Sequence, residues 1–180
     1  ACINYVDVQI GRFLDELKES PGKRDTVIVL TSDHGWNLGE KTHWCKAAIW
    51  RDTTRVPFVV VTPGVSKAGL RNNQPISHVD IYPSLCDFAG IPKPGHLEGR
   101  SILPLLKDPS ATRDFAFLSY GPQNTAAQSE RYRYLRYEDG SEELYDHKKD
   151  PHEWTNLIAN EKYQAMRKKM RARVLGFQQK

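Results

Sequence analysis

The chain has 180 residues, of which 39% are hydrophobic and 27% charged, with 12 Gly and 11 Pro. That length suits one domain, or a domain with an appendage, and suffices to bury about 70% of the surface the unfolded chain exposes, while the composition excludes collagen-like, fibrous and disordered classes. The formal net charge of +4 is concentrated at one end, because residues 161–180 hold seven Lys or Arg and one Glu. The remainder is net negative and lacks the spread of basic surface expected of a nucleic-acid-binding protein.

The longest apolar runs, Val27 to Leu30 and Val56 to Val61, fall far short of the roughly 20 residues needed to cross a bilayer. Three cysteines, Cys2, Cys45 and Cys86, are too scattered for a disulfide scaffold or a zinc knuckle. At the N-terminus Ile3, Val6, Ile10, Phe13, Leu14 and Leu17 recur at helical spacing without a preceding cap or initiator Met. This predicts a helix entered midway, in a chain cut from something longer.

The helix stops at Ser20-Pro21-Gly22, and residues 26–32 then form an uninterrupted β-branched and apolar run; residues 57–62 form another, closed by Pro63-Gly64. Such runs predict strands buried on both faces of a parallel or mixed sheet. Between them the polar, Trp-containing segment Asp33 to Arg55 is much longer than the usual ~2 to 6 residues of a βα connection. Ser77-His78-Val79-Asp80 has the form of a capping box, opening a helix through Leu85 and Phe88 that Gly90 caps. Residues 92–114, rich in Pro, read as a traverse. Beyond it Phe115–Tyr120 is strand-like, and Glu130–Tyr137 pairs with Glu142–Tyr145 across Asp139-Gly140 as a hairpin. Trp154–Ile158 and Lys162–Phe177 read as helical, the latter with Tyr163, Met166, Met170, Val174 and Phe177 on one stripe.

Thr31-Ser32-Asp33-His34-Gly35 sits at the end of the first strand, where α/β sheets bind ligands. A carboxylate beside an imidazole can reach one metal ion, and Gly35 allows a sharp turn immediately afterwards. The same residues also suit a helix-capping Asp and a hydrogen-bonded loop His. Lys46 follows within the same long loop; a lysine held near a cation makes electrostatic sense when an anion such as sulfate or phosphate lies between them, whereas taken singly it is a solvated surface lysine. Arg and Tyr alternate from Arg131 to Tyr137, which fits cross-strand pairing on a half-exposed strand better than base stacking.

Thr31-Ser32-Asp33-His34-Gly35-Trp36-Asn37-Leu38-Gly39-Glu40, then Trp44-x-Lys46 and Arg55-Val56-Pro57, resembles the sulfatase family, in the branch of iduronate-2-sulfatase and choline sulfatase. Tyr5-Val6-Asp7-x-x-Ile10-Gly11-Arg12 upstream, His78-Val79-Asp80-Ile81-Tyr82-Pro83-Ser84-Leu85 downstream, and Glu143-Leu144-Tyr145-Asp146 with Asp150-Pro151-His152-Glu153-x-x-Asn156-Leu157 extend the resemblance over nearly the whole chain. It implies an α/β fold: part of an alkaline-phosphatase-like mixed sheet over residues 1–92, followed over 93–180 by a small α+β domain with an antiparallel sheet and a C-terminal helix. It further implies that Asp33 and His34 belong to a divalent-metal site, most often calcium, and that Lys46 contacts the sulfate ester as a catalytic residue. Trp36 and His43 stand near enough in sequence to line the substrate pocket, or else pack or hydrogen-bond.

The family's nucleophile is a formylglycine made from a Cys or Ser in a Cys-x-Pro-x-Arg type motif, and none of the three cysteines here stands in one. The resemblance therefore implies a C-terminal sulfatase fragment. Its expected partners are the N-terminal part of the catalytic domain and a sulfated small molecule or glycan, with neither nucleic acid nor membrane expected. Two alternatives stay open at this level: a phosphomonoester or phosphonate hydrolase of the same superfamily, and a non-enzymatic polyanion-binding module built on the basic last helix.

Overall fold

The computed structural model describes residues 1–179. Helix α1 (Cys2–Glu19) is followed by strands β1 (Ile28–Thr31), β2 (Asn37–Leu38) and β3 (Trp44–Cys45), the short helix α2 (Arg51–Thr54) and β4 (Phe58–Val61). Helices α3 (Ile81–Ala89) and α4 (Leu103–Lys107) lead to strands β5 (Ala116–Tyr120), β6 (Asn124–Gln128), β7 (Tyr132–Arg136) and β8 (Glu142–Asp146), and α5 (Gln164–Gln178) closes the chain. The result is an α/β fold with small antiparallel sheets and a C-terminal helix.

The apolar runs do form strands, but β1 and β4 pair with each other antiparallel, Ile28 opposite Val61 and Thr31 opposite Phe58, rather than in parallel. No further described strand joins them. Leu30, Val59 and Val61 are accordingly 38, 50 and 46% exposed, so the expectation of burial on both faces is not met within this chain. Helix α1 likewise carries no buried residue, leaving Ile3, Tyr5, Val6 and Phe13 open to solvent.

The packed centre lies in the antiparallel meander β5-β6-β7-β8. Because side chains alternate along a strand, the sheet has two distinct faces. One carries Ala127, Tyr134 and Leu144, which pack with Phe115 and with Met170 and Val174 of α5. The other carries Ala126, Leu135 and Tyr145, which close over Ile49, with Trp50 packed alongside, from the long loop between β1 and β4. The sheet is therefore clamped between a helix and a loop.

Ser77 and Asp80 form the expected capping box. The buried Asp80 carboxylate also accepts from the Arg100 amide at 2.7 Å and from the Arg113 guanidinium at 2.6 Å, which ties α3 to the traverse. Gly90 caps α3 in the left-handed region at φ 66°. Residues 154–158 do not form the expected helix. The Asn156 side chain accepts from the amides of Leu144 and Ile158, and the Leu157 amide donates to the Leu144 carbonyl, so the segment runs along the β8 edge instead. Charges on α5 are drawn inward, Arg167 and Arg171 pairing with Glu142 at 2.7 and 2.9 Å. No helix among the described residues is long and apolar enough to cross a membrane.

Met170 is fully buried against the sheet, so Met170→Ala should cost about 2–5 kcal/mol in urea unfolding. The fully buried Asp146 carboxylate receives Nε and Nη2 of Arg131 at 2.7 and 2.6 Å, and these bonds hold it below the ordinary carboxylate range against the opposing effect of burial. A carboxyl with a depressed folded-state pKa stabilises the fold at neutral pH and loses that contribution as the pH falls through the lowered value. Unfolding titrations at pH 7 and pH 3 should show a loss of stability at the lower pH that is smaller in Asp146→Asn.

Candidate functional site

The chain leaves the carboxyl end of β1 through Ser32, whose Oγ donates to the His34 carbonyl at 2.9 Å. Asp33 Oδ1 accepts the His34 amide at 3.0 Å, which curls the carboxylate back over its neighbour. His34 Nδ1 lies 2.8 Å from the Gly35 carbonyl. A carbonyl only accepts, so Nδ1 carries a proton and Nε2 is the ring nitrogen turned away from it. That Nε2 lies 3.4 Å from Asp33 Oδ2. A carboxylate oxygen and a ring nitrogen at this distance are held together by a proton on Nε2, as an ion pair, or by a cation between them, and the two atom types fit a divalent cation. The Asp33 carboxyl is held below its ordinary range: the modest burial opposes the shift, and the His34 ring, the local amides and the Lys46 ammonium outweigh it.

Among the described residues no group of three or more His, Cys, Asp or Glu side chains converges on one point. Asp33 and His34 alone would offer a cation two side-chain donors, fewer than the roughly 6–8 oxygens calcium takes. The Asp33 side chain is largely exposed and that of His34 partly covered, so the pair opens outward.

The backbone beyond His34 is held from behind. The amides of Gly35 and Trp36 donate to the carbonyls of Thr53 and Asp52 at 2.8 and 2.9 Å, so α2 forms the floor beneath the turn. A Cβ on Gly35 would stand 2.0 Å from the Asp52 carbonyl oxygen, which explains the need for glycine. Trp36 is half exposed, its ring centroid 6.1 Å from that of His34.

The loop between β2 and β3, and the end of β3 itself, are strained. Lys41, Thr42 and Cys45, none of them glycine, adopt φ of 55°, 57° and 73°. Lys46 comes directly after, exposed and close enough to act on Asp33. His43 turns the other way: its ring packs edge-on against Trp50 at 5.7 Å, and its buried Nε2 has no hydrogen-bond partner. Of the five residues singled out in the sequence, Asp33 and His34 are brought together, Lys46 joins them electrostatically, Trp36 lies beside His34, and His43 packs against Trp50. His78, whose Nε2 lies 3.3 Å from Thr31 Oγ1 at the end of β1, was not among them; only the fold brings it there, 47 residues along.

A cavity of about 430 Å³ opens elsewhere, lined by Trp50, Asn124, Tyr137 and the carboxylates Glu138, Asp139 and Glu143. Three carboxylates make it a poor receptor for an anionic ester.

Comparison with known proteins gives this geometry a context. The profile of the N-sulphoglucosamine sulphohydrolase C-terminal family matches residues 39–180. A sulfatase of Formosa agariphila is 39% identical over 166 residues, covering 92% of this chain and 32% of that protein. The choline-sulfatase of Rhizobium meliloti is 33% identical over 169 residues, covering 89% of this chain and 32% of that protein. Among solved structures, the phosphonate monoester hydrolase of Agrobacterium radiobacter superposes with a TM-score of 0.80 at 32% identity, over 97% of this chain and 39% of that one. The chain thus spans about a third of the length of the curated relatives it matches.

Replacing Gly35 by Ala drives a methyl group into the α2 floor. It should cost about 1–3 kcal/mol, the scale of overpacking, read as a lowered unfolding midpoint and as faster exchange of the Trp36 amide.

Proposed function

We propose, from the premise that the chain belongs to the N-sulphoglucosamine sulphohydrolase C-terminal family of sulfatases, that it is the part of a sulfuric ester hydrolase that supplies two metal ligands and one sulfate contact. The observation that carries the reading is the pairing of the Asp33 carboxylate with His34 Nε2 at the carboxyl end of β1, within electrostatic reach of Lys46.

In this reading Asp33 and His34 hold a divalent cation, calcium in the family the sequence resembles, and the cation when bound withdraws charge from the sulfate oxygens. Calcium prefers oxygen donors and takes roughly 6–8 of them, so Asp33 would be its more natural ligand here and His34 a second donor beside it. Lys46 donates to a non-bridging sulfate oxygen and stabilises the negative charge that grows there as sulfur is attacked. Trp36, half exposed beside His34, offers a flat apolar wall to the alcohol portion of the ester. The His43 imidazole, held by Trp50, borders the same loop and helps fix its shape.

The formylglycine nucleophile belongs to a further region of a longer protein, as do the remaining metal ligands. Residues 1–92 then form the C-terminal part of the catalytic α/β domain and 93–180 a small domain packed behind it. The exposed apolar faces of α1 and of the β1–β4 pair are where the rest of the catalytic domain packs. The substrate class is a sulfated small molecule or glycan, supported by a choline-sulfatase among the relatives and by a family named for a sulfated amino sugar.

One observation favours a second reading, a phosphonate or phosphate monoester hydrolase: the likeness to the Agrobacterium enzyme. A cation and an anion-binding lysine serve both chemistries. Comparing kcat/KM for an aryl sulfate and an aryl phosphonate on the intact protein separates the two. In that protein Lys46→Ala should lower kcat for the preferred ester by roughly 10²–10³, the scale for losing one preorganised donor to a developing oxyanion. An unchanged kcat would remove Lys46 from the reaction.

A further inference from the structure

Helix α2 is gripped on two sides. On the first, its carbonyls at Asp52 and Thr53 receive the Trp36 and Gly35 amides and so carry the turn that bears Asp33 and His34. On the second, it meets β7 and the segment after β8. The buried Arg133 guanidinium of β7 donates through Nε and Nη2 to the Ile49 carbonyl at 3.2 and 2.6 Å and through Nη2 to Thr54 Oγ1 at 2.8 Å. Glu153, 1% exposed, accepts the Arg51 amide at 2.9 Å through Oε2 and His147 Nε2 at 2.7 Å through Oε1, with Arg133 Nε 3.6 Å away.

Two features mark this contact as more than ordinary packing. Glu153 adopts φ 60°, a left-handed conformation that a non-glycine residue holds only when its surroundings impose it. The bonds that Arg133 and Glu153 make to this region end on the backbone of Ile49 and Arg51 and on Thr54 Oγ1, so they fix where the helix sits and do not merely cover it.

We infer that Arg133 and Glu153 are positioning residues: from β7 and the segment after β8 they set the placement of α2, and through α2 the geometry of the Asp33–His34 donor pair. Neither side chain touches the donor pair itself. The inference rests on the proposed sulfatase reading for its catalytic consequence, but its structural content does not depend on that reading.

The test compares Arg133→Lys with Met170→Ala. The first keeps the charge but loses the fork that spans Ile49 and Thr54; the second weakens the opposite face of the same sheet and leaves α2 alone. With both variants at conditions of matched global stability, hydrogen exchange of the Gly35 and Trp36 amides should be at least tenfold faster in Arg133→Lys and unchanged in Met170→Ala. In the intact protein, Arg133→Lys should lower kcat at least tenfold with KM within threefold, and weaken calcium binding measured by calorimetry, while Met170→Ala does neither. Equal exchange rates at Gly35 and Trp36 in the two variants would overturn the inference. If the wild-type protein turns over no sulfate ester, the sulfatase reading falls and the exchange comparison still decides the positioning role. Should Arg133→Lys fail to fold, Thr54→Val removes one anchor alone, and the same exchange criterion applies to it.

Discussion

A charged guanidinium sealed away from water must have its N–H groups taken up by acceptors, and Arg133 meets that demand with the Ile49 carbonyl, Thr54 Oγ1 and Gln128 Oε1 at 2.6–3.2 Å. Burial lowers its pKa, and Glu153 is the principal group working against that shift. Two of these acceptors, the Ile49 carbonyl just ahead of α2 and Thr54 Oγ1 at its end, belong to the connection between β3 and β4. Satisfying one buried cation therefore dictates the path of residues 49–54, and everything attached to them inherits that path. An uncompensated charge in the same place costs about 3–5 kcal/mol, a large part of a domain's stability.

The same sheet face disciplines the strained turn ahead of Lys46. Lys41 donates from Nζ to the Tyr145 hydroxyl at 2.9 Å and lies over the Tyr145 ring at 4.5 Å and the Trp50 ring at 5.3 Å. Tyr145 and Trp50 both donate to Glu143 Oε2 at 2.8 Å. Left-handed conformations at Lys41, Thr42 and Cys45 cost of order 1–3 kcal/mol each, so they persist where contacts of this kind over-determine them. The loop is long, yet its two halves are fastened to a packed sheet.

Some of this was legible in the sequence and some was not, for identifiable reasons. The β-branched runs marked β1 and β4, because such side chains suit a pleated strand wherever it lies. They could not report that the two strands pair antiparallel, since continuous apolar character is a symptom of burial and carries no direction. Asp139-Gly140 announced its hairpin through the left-handed φ of 82° that Gly140 adopts. Strand β6, Asn124 to Gln128, announced nothing: Ala126 and Ala127 are fully buried because larger side chains on β5 and β7 occupy the space around them, which is a tertiary fact. The Asp33–His34 pair was readable because two adjacent residues carry it. The support beneath it was not, because Gly35 meets Thr53 only through backbone atoms and Arg51 meets Glu153 across 102 residues.

That last separation has a consequence for biosynthesis. The loop bearing Lys46 receives its anchors from residues 84, 93 and 102 positions further along the chain. Contacts of such range form slowly, since the closure entropy of the intervening segment is lost before the contact returns anything. During translation the Asp33–His34 turn emerges from the ribosome long before Arg133 and Glu153 do, and until each is made α2 lacks its bond from β7 and then its bond from the segment after β8. The donor pair thus acquires its native support only when the last strand and the segment after it have been made. A ribosome stalled before that point holds a chain in which the Asp33–His34 sequence has been made and the contacts that shape its turn have not.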